Sequence, residues 1–455
     1  MPVNKFLLTV SLASLVAVPG VAEARRQPPP PPPAPVRIAP TDPIELYYYQ
    51  HGDAPIWTRS SDTKAALPVL TGILRRARIE GLNDGPQLAD AIDAAMQRAA
   101  ASNSPADNQA LEYTASRGLV AYVSLIKKAP AGMLFGYSYL APQGGRPDQI
   151  LLTAAASPSL TQYLQKASSP NPTYASLRDA GWKAMQANPS GPIDPRLLSN
   201  LERARVLPAG GRYILVNSAE AKLTMFDNGQ PVGSMKTVVG MTKFPDGKPN
   251  YLPTPMIASV IYYVTFNPYW NVPQNLILKN IGHKARDQGE PYLKAQGFQV
   301  ISDWSENATV VPYADIDWKA VAAGTKTIRI RELPGKLNSM GRYKFNFRNS
   351  EDIYLHDTPM REYFSRDVRT LSNGCIRLED AKRLAGWLLG RDPTPPNDQP
   401  EQHVQIPAGV PVYVTYLTAK VGPDGQLAYS DDYYGWDGNP QKQLAVTGTG
   451  VSRSE

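Results

Sequence analysis

The chain has 455 residues, 42% of them hydrophobic and 19% charged, which suits two or three folded domains and excludes a wholly disordered protein. Its net charge of +7 is spread without a block of consecutive basic residues, so nucleic-acid binding is not indicated. One cysteine excludes a disulfide framework, and no segment reaches transmembrane length.

Residues 1–24 read as an export signal: Lys5 supplies the positive start, residues 6–21 the apolar stretch, and Ala22-Glu23-Ala24 the small-x-small cleavage pattern. The expected mature protein starts after Ala24 and carries no transmembrane segment. Residues 25–41 form a linker dominated by prolines 28–33, expected to be extended polyproline II. Residues 42–200 have helical periodicity. Leu67, Leu70, Leu74 and Ala77 recur at helical spacing, Gly81 stands at a C-terminal cap, and Leu88, Ile92 and Ala95 continue the pattern. His51, near Trp57, reads as a loop histidine packed on an aromatic ring.

The period changes near Gly211. Strands are expected at 213–216, 223–226, 232–239, 257–266, 327–331, 343–347, 353–356 and 410–417, with Asp227-Asn228-Gly229 as a tight turn. This density of short strands predicts a β sandwich or barrel-like sheet. One helix interrupts it: Ala381, Leu384, Ala385 and Leu388 form an apolar stripe, with Glu379 and Asp380 at its start and Gly390 after its end. The stretch at about 272–324 is more polar and partly helical, like an insertion over the sheet. Residues 438–455 read as a disordered tail.

An unpaired cysteine in an exported protein is a liability unless its thiol has a task. Cys375 lies in Ser372-Asn373-Gly374-Cys375-Ile376-Arg377, just before the helix, and His356 ends a strand in Tyr354-Leu355-His356-Asp357-Thr358. A thiol attacks carbonyls as thiolate, so it needs a base or a positive neighbourhood; His356 is the candidate base and Arg377 part of the field. Gly374 allows close backbone approach, so the amides around Gly374 and Cys375 are candidates for an oxyanion hole. A buried inert cysteine with a surface histidine is the alternative from residue types alone. His51, His283 and His403 are too scattered to suggest a metal site, and no cofactor is implied.

These two segments resemble the active-site signature of the L,D-transpeptidases, cysteine enzymes with a YkuD-type catalytic domain. Phe266-Asn267-Pro268-Tyr269-Trp270-Asn271-Val272-Pro273, Leu337-Asn338-Ser339-Met340-Gly341 with Lys344-Phe345, and residues 353–359 resemble the large Gram-negative branch typified by YcbB. The resemblance implies an α+β multidomain chain: a helical N-terminal scaffold domain at 42–200, then a mainly β catalytic domain at 205–437 with a capping subdomain inserted at about 272–324.

It implies Cys375 as nucleophile and His356 as base, oriented by a backbone carbonyl, acting on peptidoglycan stem tetrapeptides to make 3→3 crosslinks. Ser372, Asn373 and Gly374 would form the loop and oxyanion hole. Arg377 would meet a substrate carboxylate or sit in a structural salt bridge, and Tyr354 and Trp270 would line the cleft or belong to the core. Carbapenems are implied as acylating inhibitors, and the periplasm as location.

The chain departs from the pattern at Asn373, where the signature has histidine; asparagine can hold a loop by hydrogen bonds but cannot titrate. A helical peptidoglycan-binding repeat is also missing, since residues 180–206 are too short for one. Two other readings stay open: hydrolysis of the same acyl-enzyme, as an L,D-carboxypeptidase or amidase, and a wall-binding pseudoenzyme disabled by Asn373.

Overall fold

The computed structural model describes residues 38–243, 251–305 and 307–448; the expected export signal, the linker up to residue 37, and residues 449–455 lie outside them. From Pro43 to Ala204 the chain is helical apart from the short strand β1 (Met133–Phe135). Leu67, Leu70 and Leu74 are buried along the helix Ala66–Arg76, and Gly81 closes the next turn at φ +102°, a left-handed conformation that favours glycine. The helices Gly85–Ser102 and Pro105–Ile126 pack against it so closely that a Cβ on Gly118 would meet side-chain carbons of Ile92 and Leu74 at 2.9 Å.

Glu112 is buried but satisfied. Its carboxylate accepts from the N–H groups of Ile56, Trp57 and Thr58 and from the hydroxyls of Tyr48 and Thr58. His51 stacks on Tyr47, centroids 4.1 Å apart, rather than on Trp57, because the two stand one helical turn apart.

The remainder is mainly β: β2 (Tyr213–Asn217), β3 (Lys222–Asp227), β4 (Gln230–Gly240), β5 (Met256–Phe266), β6 (Trp270–Asn271), β7 (Phe298–Ile301), β8 (Arg329–Glu332), β9 (Tyr343–Phe345), β10 (Leu355–His356), β11 (Thr370–Ser372), β12 (Ile376–Leu378) and β13 (Gln402–Thr415). The main sheet runs β1-β5-β13-β2-β3-β4-β12-β10-β9, and β9 pairs back onto β5, closing it as a barrel. Asn228 and Gly229 both take positive φ between β3 and β4, the geometry a two-residue hairpin needs. β13 starts earlier than residue 410 because residues 402–405 pair with 263–266 of β5 across a register shift.

The helix Ala381–Leu389 buries Ala381, Leu384, Ala385 and Leu388 among apolar residues of the sheet. The Asp380 side chain caps it by accepting from Arg383 N, and Gly390 ends it at φ +67°. β6, β7 and β8 form a separate sheet, which with the helices Gly282–Gln288, Glu290–Ala295 and Trp318–Ala322 encloses its own core around Ile277, Val300, Trp318 and Ile330. This inserted unit runs on to Glu332, past residue 324, because β8 pairs with both β6 and β7.

The expected tail is structured in its first part. Residues Pro440–Gly448 form a helix, Val446 is buried, and Gln443 accepts from Arg203 Nε at 3.1 Å. Arg203 also makes a buried ion pair with Asp437 at 2.7 Å, a tertiary contact that local composition does not show.

Candidate active site

β10 and β12 run in parallel with Leu355 opposite Ile376 and His356 opposite Arg377, and one step earlier Ile376 N donates to the Tyr354 carbonyl at 3.1 Å. Side chains alternate along a strand, and Leu355 and Ile376 both point into the apolar core. Tyr354, His356, Cys375 and Arg377 therefore share the opposite face. They line a cavity of about 210 Å³ together with Trp270, Ser372 and Asn373. Of the site residues expected from the sequence, Gly374 alone is not on its wall.

His356 is 2% exposed, and its Nδ1 lies 2.6 Å from the Asp357 carbonyl oxygen. A carbonyl only accepts, so Nδ1 carries the hydrogen and Nε2 is bare. Burial pushes the imidazole down to about 3, with the Arg377 and Lys344 cations adding to the shift and the Asp357 bond opposing it. Burial pushes the Cys375 thiol up, opposed by the Tyr354 N–H, Lys344, the Tyr354 hydroxyl and Arg377. At neutral pH the cavity thus holds an uncharged thiol and an uncharged imidazole, with Cys375 Sγ donating to the Asp352 carbonyl at 3.7 Å.

Residues 211–414 match the L,D-transpeptidase catalytic domain, and residues 42–180 match the scaffold domain. The chain belongs to the L,D-transpeptidases.

A Haemophilus influenzae protein provisionally named an L,D-transpeptidase is 27% identical over 325 residues, covering 70% of this chain; the chain spans 63% of that relative's length. Among solved structures, an L,D-transpeptidase from Mycobacterium smegmatis aligns at 14% identity and TM-score 0.21 over 46% of this chain and 59% of that one. Another, an L,D-transpeptidase in complex with imipenem, aligns at 14% identity and TM-score 0.21 over 46% of this chain and 60% of that one. Scores at this level carry no weight beyond the family match.

Within this L,D-transpeptidase the cysteine loop is held by backbone and hydroxyl bonds. Ser372 Oγ donates to the Cys375 carbonyl at 2.5 Å and accepts from Gly374 N at 3.1 Å. Gly374 sits at φ +120°, and its carbonyl accepts from Thr254 Oγ1 at 2.7 Å. The Gly374 N–H, a candidate oxyanion donor from the sequence, is thus already donated to Ser372 Oγ. The Cys375 N–H makes no hydrogen bond among the described residues. Asn373 does not hold the loop: its side chain is exposed and bonds nothing among the described residues.

Arg377 has no carboxylate partner among the described residues, so the salt-bridge alternative fails. Its Nη1 approaches Met360 Sδ at 3.4 Å, its guanidinium lies 5.5 Å from the Tyr363 ring centroid, and its buried Nε has no partner.

Three further residues shape the site. Lys344 lies opposite His356 on β9, and its ammonium sits 4.4 Å from the Tyr354 ring centroid. A lysine between the buried Tyr343 and Phe345 was a usable alternation signal. Thr254 grips the Gly374 carbonyl from another segment. Asp357 is clamped by Arg342 N at 2.9 Å and Arg361 Nη2 at 2.8 Å, which fixes the carbonyl that orients His356. Gly341 at φ +60° leaves no room for a Cβ beside the Asp357 carboxylate. Among the described residues, no group of three or more His, Cys, Asp or Glu stands together as metal ligands, and no helix is long and apolar enough to cross a membrane.

Proposed function

We propose that the chain is a peptidoglycan L,D-transpeptidase that forms 3→3 crosslinks through an acyl-enzyme on Cys375, with His356 as general base. The observation that carries the reading is that His356, oriented by the 2.6 Å bond from Nδ1 to the Asp357 carbonyl, lines the same cavity as Cys375.

The thiol proton passes to Nε2 as sulfur attacks the carbonyl between diaminopimelate at position three and the terminal D-Ala of a stem tetrapeptide. Charge develops on the carbonyl oxygen, and the unpartnered Cys375 N–H is the donor that meets it. The imidazolium returns the proton to the leaving amine, D-Ala departs, and a thioester remains. The side-chain amine of diaminopimelate on a second stem then attacks the thioester and gives a proton to Nε2. The C–S bond breaks and the sulfur takes that proton back. An uncharged resting pair suits this cycle, because charge separates only as attack begins.

Arg377, a cation at the cavity without a carboxylate partner, is assigned to a carboxylate of the donor stem. Trp270 and Tyr354 form the walls, and Ser372, Asn373 and Gly374 the loop. A carbapenem presents a strained amide carbonyl to the same sulfur and is assigned as an acylating inhibitor. The substrate lies outside the inner membrane, so the N-terminal signal read from the sequence would deliver the protein to the periplasm.

The test is incubation of the purified protein and its Cys375→Ala variant with disaccharide-tetrapeptide, followed by mass spectrometry. A 3→3-linked dimer that the variant does not make is expected. Tripeptide without dimer would assign hydrolysis instead, and no product from either protein would leave a wall-binding pseudoenzyme.

A further inference from the structure

Beside the catalytic cavity lies a larger groove of about 670 Å³, and the two share Asp352, Ile353 and Tyr354 as a common wall. Three parts of the chain build it. Tyr137 follows β1 in the region matching the scaffold domain, Tyr262 stands on β5 of the barrel, and Asn271 and Trp304 come from the inserted unit. The scaffold edge is fixed against the barrel: β1 pairs with β5, Gly136 N donates to the Ala258 carbonyl at 2.9 Å, and a Cβ on Gly136 would collide with the Arg348 carbonyl. These walls are preformed.

The groove has an aromatic side that packing does not explain. Of the rings that line it, Tyr262 is 37% exposed; Tyr139, 60% exposed, stands beside the groove rather than on its wall. Tyr139 stacks on Tyr137 with centroids 5.4 Å apart, Tyr262 meets Tyr137 edge-on at 6.0 Å, and the hydroxyls of Tyr139 and Tyr262 lie 3.4 Å apart. Large rings grouped at the surface mark a binding face. Asn346 also lines the groove, and its Oδ1 is a buried acceptor without a partner, a state a ligand N–H would relieve.

We propose that this groove binds the N-acetylated saccharide of the peptidoglycan strand whose stem peptide enters the catalytic cavity. The sugar's C–H face packs on the tyrosine rings, and its acetamido N–H donates to Asn346 Oδ1. The adjacent cations do not call for an anion: Lys344 lies over Tyr354, and Arg348 over Tyr137 at 5.8 Å. An occupant with an apolar ring face and an amide donor matches both features; an acidic stem peptide supplies amide donors but no ring face for the tyrosines. The choice of saccharide rests on the wall-peptide reading above.

The test is calorimetric titration of the full chain with a β-1,4-linked N-acetylglucosamine tetramer and, separately, with the sugar-free stem tetrapeptide. The tetramer is expected to bind the wild type, and Tyr262→Ala and Asn346→Ala to weaken it by at least ~5-fold with melting temperatures retained. No binding of the tetramer by the wild type, or equal binding by both variants, would overturn the proposal. So would variants that lose the tetrapeptide and keep the tetramer, since the occupant would then be a peptide. The catalytic reading fails separately, by the absence of Cys375-dependent product from disaccharide-tetrapeptide while the tetramer still binds.

Discussion

Thr254 holds the Gly374 carbonyl: its hydroxyl donates to that oxygen at 2.7 Å while accepting from the Gly240 N–H at 2.8 Å. Tyr434 supports the same segment, accepting from Thr254 N at 3.2 Å and donating to the Gly240 carbonyl at 2.9 Å. The peptide plane preceding the Cys375 amide is thus set by residues far away in sequence, some beyond the segment matching the catalytic domain.

Thr254→Val keeps the shape and removes the hydroxyl, leaving a buried donor and a buried acceptor unpaired. A stability loss of about 1–3 kcal/mol is expected, with a fall in the acylation rate that Thr254→Ser restores. Denaturant unfolding and single-turnover acylation by imipenem check the two parts. Unchanged acylation in a folded Thr254→Val protein would show that the grip does not matter to chemistry.

Gly374→Ala places a Cβ on a residue at φ +120°, so a cost of about 1–3 kcal/mol is expected, or a loop that turns the Cys375 N–H away. Loss of acylation with only a small change in melting temperature would identify the second outcome.

His356 carries a pH signature. Its folded pKa of about 3 is below the ordinary 6.5, so between those values the unfolded chain binds the extra proton and the folded chain does not. The contribution to stability is complete above pH 6.5 and is withdrawn at about 1.4 kcal/mol per pH unit as pH falls toward 3. Melting temperature should drop on acidification, and His356→Gln should flatten that slope. In activity, His356→Ala is expected to slow acylation by roughly 10²–10⁴-fold.

Asn373 is exposed and its side chain bonds nothing among the described residues, so Asn373→Ala should move stability by less than about 0.5 kcal/mol. Crosslinking by this variant within about tenfold of wild type would show that the departure from histidine does not disable the site. A larger loss would assign Asn373 a contact with substrate.

That Cys375 and His356 line one cavity was legible because both sit in short segments whose neighbours carry the family's pattern. Lys344 and Thr254 were less so, since each acts through a residue it meets only in the fold. The bond from the Gly374 amide to Ser372 Oγ was not legible because it depends on the loop's actual turn, not on the residues present. The helix Pro440–Gly448 was missed for a similar reason: its order depends on Arg203 and buried Val446, and its local composition is polar.

The sequence by itself determined the helical and β halves, the apolar stripe of the helix Ala381–Leu389, the turn at Asn228-Gly229 and the candidate nucleophile and base. All of these depend on period, caps and residue chemistry within a few positions. Only the tertiary structure decided which side chains share the cavity face, which loop amide is hydrogen-bonded, and how burial sets the charge of His356 and Cys375. Those properties follow from strand register and from water excluded by distant segments, which no local pattern encodes.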